Sequence, residues 1–383
     1  MHTESAVGLA DTVRGIEQLK AAHPAVTFWI GVLGRMGGHG DWMIDCAVGR
    51  AAKRHWQGIL GDETVGAMVV GIATAEPANY DISAGQPGID AALRAPMVHW
   101  RPRSVACTPC FDLTLDGRYV LRTRFDNRGR FADAQADAND AFAPYREFYD
   151  GFPLAAHRLA ATGLHQFDLM SLTAGFPITP DDLALSLATP RLAGHPRRDP
   201  RDLALYAGCV TIHNGQGEGP GTKTLPRAVP VEIVRSLARR GIPVVQVGIR
   251  HNTIEPPIEG AVDLRGLRLG ETATVIQGAR LHVDGEGFLV HVARAVGTHS
   301  CVFFGPTPPS VFGYRENVNY TRAVCPEPPG PHCWWCKPGW SQVCPKGFKS
   351  CINLPQPETA AAVVCDALDA LSAPAPVRIS EDV

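Results

Sequence analysis

Two carboxylates, two glycines and a histidine stand close together in residues 284–298, DGEGFLVHVARAVGT. Asp284 and Glu286 alternate with the glycines, and His291 follows within an apolar segment. The pattern predicts a strand that ends at the glycines and a helix that starts just after them. A helix N-terminus presents free N–H groups and a partial positive charge, which suit a phosphate group. This stretch could therefore hold a phosphorylated ligand beside a carboxylate.

Two more glycine-rich turns follow predicted strands: residues 34–41, GRMGGHGD, and residues 214–223, NGQGEGPGTK. In open parallel sheets, ligands bind beyond the carboxyl ends of the strands. Three such turns, divided between two halves of the chain, predict a cleft for a phosphorylated ligand. Each candidate side chain also has a structural interpretation: Asp41 could cap a helix, His291 could belong to the core, and Lys223 could be a solvated lysine.

Alternating strand and helix patterns place these turns in two α/β halves, residues 25–188 and 203–321. We predict strands at 25–34, 65–73, 205–213, 242–248, 280–284 and 300–305, and helices at 42–56, 228–241, 270–279, 288–298 and 357–371. Within 228–241, one apolar face is expected to contain Ile233, Val234, Leu237 and Ala238, with Gly241 as the stop. From residue 73 to about residue 151 the pattern is too weak to place elements. The fold class is therefore α/β, with two Rossmann-like domains.

Length, composition and charge limit the classes of protein to which this chain can belong. A chain of 383 residues exceeds the usual size of one core, and 45% hydrophobic with 19% charged residues is typical of a soluble globular protein. The net charge of -2 gives no reason to expect a nucleic-acid partner. No apolar run predicts a membrane span, and the first residues lack a signal-peptide pattern, so we expect a cytoplasmic protein. A homo-oligomer remains open.

Five of the eleven cysteines fall in one segment, with the spacing C-x7-C-x2-C-x7-C-x6-C. They are Cys325, Cys333, Cys336, Cys344 and Cys351. Four thiolates suit one structural zinc or iron ion, and a closed thiolate shell leaves no position for catalysis. Disulfides and unligated thiols are the alternatives.

Five cysteines for four places leave one over. The C-x2-C pair, Cys333 and Cys336, is the most secure, followed by Cys351; Cys325 and Cys344 compete for the fourth place, and His332 is an outside candidate. A second pair, Cys107 and Cys110, has no evident partners and is interpreted as buried or free.

Several motifs together resemble a known family. The segments VVQVG, AVDLRG, ETATVIQGARLHVDGEGFLVHVARAVGT and VFFGPT, in this order, are similar to the C-terminal half of family 9 glycosyltransferases, the group that contains bacterial ADP-heptose transferases. Upstream, TIHNG, TKTLP and GRMGGHGDWM resemble further parts of that family. The resemblance covers about two thirds of the chain and is weakest between residues 77 and 203.

The resemblance implies a GT-B type enzyme with the nucleotide-sugar donor on the C-terminal half and the acceptor on the N-terminal half. Asp41 matches the family's general base, Lys223 the lysine that meets the donor, and Glu286 the acid that faces the donor sugar. The full set of implied donor-binding residues is Asn214, Lys223, Asp284, Glu286, Gly287 and His291. No catalytic divalent cation is expected.

The sequence departs from the family at two places. Glu286, Gly287 and Phe288 stand where the family has Asp, then Ser or Thr, then Gly, and KTLP replaces a Lys-x-Trp-Pro pattern. The cysteine segment resembles, in kind but not in spacing, the iron-binding finger of autotransporter heptosyltransferases.

These observations predict four segments: an acceptor domain at 1–195, a nucleotide-sugar domain at 196–324, a cysteine-rich metal finger at 325–355, and a C-terminal helix and tail at 356–383. The predicted reaction moves a sugar, heptose, from a nucleoside-diphosphate donor, ADP-heptose, to a hydroxyl of a saccharide, protein or small natural product. The alternatives are another sugar-nucleotide enzyme, such as an epimerase, and a non-catalytic scaffold whose metal finger is the functional part.

Overall fold

The structure is a computed structural model. The predicted metal finger at 325–355 and Cys107 lie outside its described residues. The described residues are 18, 21–26, 28–33, 39–60, 65–72, 86–95, 110–116, 120–125, 163–185, 187, 200–215, 223–251, 255–305, 307, 309–321 and 356–372.

The N-terminal sheet has five strands in the order β3-β2-β1-β4-β5. They are β1 (Phe28–Leu33), β2 (Val65–Ile72), β3 (Ala91–Ala95), β4 (Cys110–Asp116) and β5 (Val120–Phe125). All neighbours are parallel except β4 and β5, which form an antiparallel pair. The predicted strands at 25–34 and 65–73 are confirmed as β1 and β2. Helix α1 (His39–Leu60) links them and is longer at both ends than the predicted 42–56.

The C-terminal sheet has six parallel strands in the order β11-β10-β9-β6-β7-β8. They are β6 (Val210–Ile212), β7 (Val244–Gln246), β8 (Val262–Asp263), β9 (Leu281–Gly285), β10 (Ser300–Phe304) and β11 (Val318–Thr321). Counted from β6, this is the Rossmann order, in which the chain reverses direction across the sheet between the first and fourth strands. The reversal lies between β6 and β9, which are hydrogen-bonded neighbours.

Within the described ranges, seven further α-helices have defined bounds. They are α2 (Gln166–Ala174), α3 (Pro200–Leu203), α4 (Ala228–Arg239), α5 (Leu269–Gln277), α6 (Phe288–Ala295), α7 (Pro309–Phe312) and α8 (Pro357–Ser372). None of these or of α1 combines the length and apolarity needed to cross a bilayer. The α/β architecture with parallel sheets agrees with the sequence prediction.

Helix α4 confirms most of the predicted apolar face. Ile233, Val234 and Leu237 are buried, but Ala238 is exposed, so its predicted place on that face is wrong. The reason is geometric: each residue advances the helix by about 100°, which carries position 238 past the edge of the buried stripe. Gly241 follows the helix with a φ of 70°, as its predicted role as a stop requires.

Helix α8 confirms the predicted C-terminal helix and packs against α4. Ala360, Val364 and Leu368 share a buried core with Ile233 and Leu237. Arg240, just after α4, forms an ion pair with Asp369 of α8. This helix therefore covers one face of the C-terminal sheet, while the four predicted segment boundaries stay predictions.

Candidate functional site

The candidate site lies at the reversal point of the C-terminal sheet. The chain leaves β6 at His213 and leaves β9 at Gly285, so the residues after both strands meet at the same sheet edge. Gly287 has extended backbone angles, φ -170° and ψ -173°, and directly precedes α6. The first turn of a helix presents N–H groups that the helix itself does not use. The loops after β6 and β9 and the N-terminus of α6 therefore lie at the position where open α/β sheets bind ligands.

Lys223 and Glu286 form an ion pair at this position. Thr307, which follows β10, donates a hydrogen bond of 3.1 Å from its Oγ1 to Oε2 of Glu286. The Lys223 and Glu286 side chains are 22% and 15% exposed, so both can be reached from solvent. Two of the predicted site residues are therefore together, and Lys223 is paired rather than simply solvated.

The segment that carries Lys223 is held in place by two close contacts. A Cβ at Gly285 would overlap the carbonyl oxygen of Lys223, so only glycine permits this approach. The buried Asn214 side chain bonds the backbone of Leu225 twice, accepting at 2.7 Å from its N–H and donating at 3.1 Å to its carbonyl. Asn214 therefore fixes the Lys223 segment, and its predicted direct contact with a donor stays a prediction.

Asp284 is buried, unlike Glu286, and lies beside two histidines. Its Oδ1 is 2.8 Å from Nδ1 of His213, and its Oδ2 is 3.4 Å from Nε2 of His282. On the other side of His213, Nε2 is 3.6 Å from Oε2 of Glu255, which is fully buried. Glu286, not Asp284, is thus the carboxylate that can meet a ligand.

Burial is the largest single effect on the pKa of Asp284 and raises it, but the charges and hydrogen bonds of His213 and His282 together lower that pKa. Burial opposes the charged form of His213 too, yet Asp284 and Glu255 together raise its pKa to about 9. His213 and Glu255 were not predicted as site residues. His213 adjoins Asn214 in the TIHNG motif, which was a usable signal, whereas no spacing or pattern marks Glu255.

His291 lies where the two halves of the molecule meet. Its Nδ1 forms a hydrogen bond with the hydroxyl of the buried Tyr314. Its ring lies against Gly40 at the start of helix α1. A Cβ added to Gly40 would lie 2.9 Å from Cδ2 and 3.1 Å from Nε2 of the His291 ring. The ring of His39 also meets that of Phe288 edge-on, with centroids 5.2 Å apart. The start of α1 and the start of α6 are therefore in contact.

Asp41 belongs to the first turn of α1, immediately after Gly40. Because the helix begins at His39, Asp41 does not occupy the position that precedes a helix, which the capping interpretation needs. Its backbone is thus close to His291, while its side chain lies outside the described part of the structure. The loops at 34–38 and 216–222 lie outside it as well.

The metal prediction cannot be placed on the described residues. Cys325, Cys333, Cys336, Cys344 and Cys351 all lie outside them, and Cys110 is the first residue of β4. Within the described ranges, no group of three or more His, Cys, Asp or Glu residues is arranged to hold an ion.

Comparison with solved structures identifies the fold. A family 9 glycosyltransferase from Veillonella parvula superposes with a TM-score of 0.54 at 12% identity, over 90% of this chain and 98% of that one. The chain has the fold of a family 9 glycosyltransferase. The iron-containing dodecameric glycosyltransferase TibC from enterotoxigenic Escherichia coli gives 0.53 at 14% identity, over 90% of this chain and 79% of that one.

A second TibC structure, in complex with ADP-D-β-D-heptose, gives a TM-score of 0.54 at 13% identity over 91% of this chain and 77% of that one. No protein-family model matches the chain, and no curated protein matches its sequence. At these identities the likeness establishes the fold alone.

Proposed function

We propose that this protein is a glycosyltransferase that moves a sugar from a nucleoside-diphosphate donor to an acceptor hydroxyl. The observation that carries the proposal is the Lys223–Glu286 pair at the reversal point of the C-terminal sheet, with the start of α1 in contact beside it. The similarity to TibC, which was solved with ADP-D-β-D-heptose, favours ADP-heptose as the donor.

The donor side needs groups that stabilise the leaving diphosphate. When the bond between the sugar C1 and the phosphate oxygen breaks, negative charge accumulates on the diphosphate. Lys223, His291 and the N–H groups at the start of α6 can offset this charge, because preorganised donors stabilise charge that develops in the transition state. In this proposal, these groups offset the charge without a catalytic divalent cation. Glu286 would then accept hydrogen bonds from hydroxyls of the sugar.

The acceptor side needs a base. In our proposal, Asp41 takes the proton of the acceptor hydroxyl as its oxygen bonds C1 of the sugar, so that the products are the glycoside and the nucleoside diphosphate. A positioned carboxylate of this kind accelerates a reaction by about 10²–10⁴-fold. The contact of Gly40 with His291 favours this assignment, since it brings the Asp41 backbone to the donor side.

A thermal-shift panel of ADP, GDP and UDP with their sugar conjugates tests the proposal. We expect ADP and ADP-heptose to raise Tm, since a ligand at 100 times its Kd stabilises the folded state by about 2.7 kcal/mol. Lys223→Met should remove most of this shift, whereas Lys53→Met, which alters an ion pair with Asp90 on the N-terminal half, should retain it. If no nucleotide or nucleotide sugar in the panel raised Tm, the proposed function would be rejected.

For the cysteine segment, we propose one structural zinc or iron ion held by four of the five cysteines. The iron content of TibC is consistent with this proposal. Elemental analysis should find about one zinc or iron per chain, because a closed thiolate shell binds its ion tightly. Cys333→Ser should lower the metal content and Cys365→Ser, in α8, should not. Purified protein without either metal in repeated preparations would rule the site out.

Tyr314→Phe should weaken nucleotide binding by about 2–10-fold, the usual effect of one lost hydrogen bond. The phenol is buried and burial raises its pKa, so the neutral hydroxyl holds His291 through Nδ1 and leaves Nε2 on the side of α1. Calorimetric titration with ADP measures the change. Tyr320→Phe is the matched control and should bind ADP like the wild-type protein. The ring of Tyr320 packs against Phe303 on the neighbouring strand. Equal affinities of all three proteins would contradict this role.

A further inference from the structure

Three neighbouring side chains, Glu255, His213 and Asp284, form a row beside the segments that carry Lys223 and Glu286. Glu255 is 0% and Asp284 2% exposed, and the ring of His213 lies between their carboxylates. Gly215 and Gly248 close around Glu255, because a Cβ on either would overlap its carboxylate. The N–H of Ile249 donates to Oε2 of Glu255 at 2.9 Å. The Glu255 carboxylate is thus held in place beside the ring of His213.

Electrostatics favours a charged His213 at neutral pH. Two adjacent buried carboxylates are strongly unfavourable unless a cation compensates them. Among the described residues, the other charged or titratable groups that face these three side chains are His282, 3.4 Å from Asp284, and Arg265, which donates to the backbone carbonyl of Glu255. Burial lowers and the two carboxylates raise the pKa of His213, with about 9 as the result.

The pair of His213 and Asp284 ties together the two segments that carry the donor groups. His213 directly precedes Asn214, whose amide fixes Leu225 two residues after Lys223. Asp284 stands two residues before Glu286, at the end of β9. The 2.8 Å bond between His213 and Asp284 therefore joins the support of Lys223 to the support of Glu286.

We propose that His213 is a positioning residue: as a buried cation between Asp284 and Glu255, it holds the Lys223 and Glu286 segments in the arrangement that binds the nucleoside diphosphate. This inference rests on the proposed function, which supplies its ligand, the nucleoside diphosphate. His213 does not touch the ligand in this proposal, so its effect passes through Asn214 and through the end of β9.

The test compares His213→Gln with His299→Gln. His299 is exposed and lies just before β10, at the opposite sheet edge, so the control makes the same substitution away from the site. The first readout is amide hydrogen exchange at Leu225, which needs no ligand. The second is the affinity for ADP between pH 7 and pH 10. Both variants keep Lys223 and Glu286, so they differ from wild type only at the substituted histidine.

We expect His213→Gln to accelerate exchange at Leu225 and to weaken ADP binding, each by about tenfold or more, as loss of a buried charged hydrogen bond should. Wild-type affinity should fall as pH rises through about 9, because the raised pKa of His213 means that the stabilising charge is complete below 6.5 and is lost above 9. The variant should lack this decline. Exchange and affinity within about twofold of wild type, or the same pH profile in both proteins, would overturn the proposal.

Two outcomes separate this proposal from the proposed function. If wild-type protein binds no nucleotide, the proposed function fails, and exchange at Leu225 still decides whether His213 positions the segment. If His213→Gln does not fold, an NMR titration of the wild-type histidines decides instead. A His213 signal that titrates near 6.5 would overturn the proposal, and one that stays protonated to about pH 9 would support it.

Discussion

Asp41→Asn should reduce sugar transfer by about 10²–10⁴-fold, the contribution of a positioned general base. The amide is nearly isosteric with the carboxylate but cannot accept the acceptor's proton. Affinity for ADP should change little, because the donor groups belong to the C-terminal half. The measurement is the rate of product formation from ADP-heptose at saturating donor, together with calorimetric binding of ADP.

The control for this prediction is Asp366→Asn, an exposed residue of α8 on the face away from the packed core. It should transfer at the wild-type rate. Turnover by Asp41→Asn within a few fold of wild type would remove Asp41 from its proposed role. A large loss of ADP affinity in that variant would instead assign Asp41 to donor binding.

Gly285→Ala should lower the stability of the protein by about 2–3 kcal/mol or more and should abolish most nucleotide binding, because overpacking a closed contact is costly. The new Cβ would overlap the carbonyl oxygen of Lys223, and a backbone atom cannot rotate away as a side chain can. The end of β9 or the Lys223 segment must therefore move. Thermal unfolding should show a fall in Tm of several degrees, and ADP titration the loss of affinity.

Gly278→Ala is the matched control for this substitution. Gly278 has a φ of -76°, and its nearest neighbours would lie 3.6 Å or more from an added Cβ. We expect a change in unfolding free energy of less than about 0.5 kcal/mol, as at other tolerant sites. If Gly285→Ala unfolds at the temperature of this control and binds ADP normally, the close approach of Lys223 to β9 is wrong.

Four of the six strands in the C-terminal half (β6, β7, β9 and β10) and the helices α4, α5, α6 and α8 were predicted, because their signals are local. The strands β8 and β11 are short and partly exposed, and they were not predicted. Strands buried on both faces read as apolar runs, and α4 repeats buried residues with helical spacing. In the N-terminal half, β4 alternates apolar and polar residues over FDLTLD, and its antiparallel partner β5 has the less regular sequence VLRTRF. That period-two pattern is typical of a strand with one polar face, and an expectation of buried parallel strands overlooks it.

The candidate site was only partly predictable. The resemblance to family 9 glycosyltransferases implied donor roles for Lys223, Glu286 and His291, and the structure brings Lys223 and Glu286 together. The chain of Glu255, His213 and Asp284 depends on tertiary structure, since the loop after β7 brings Glu255 to the ends of β6 and β9. The hydrogen bonds of the Asn214 side chain with the backbone of Leu225 could not be predicted either, because both residues lie in a loop and no sequence pattern pairs them.

A crystal structure of the protein with ADP bound would test the central claim most directly. We predict that the diphosphate lies at the reversal point of the C-terminal sheet, within hydrogen-bond distance of Nζ of Lys223 and of backbone N–H groups at the start of α6. A diphosphate bound elsewhere, or side chains that fill this position in the complex, would contradict the account.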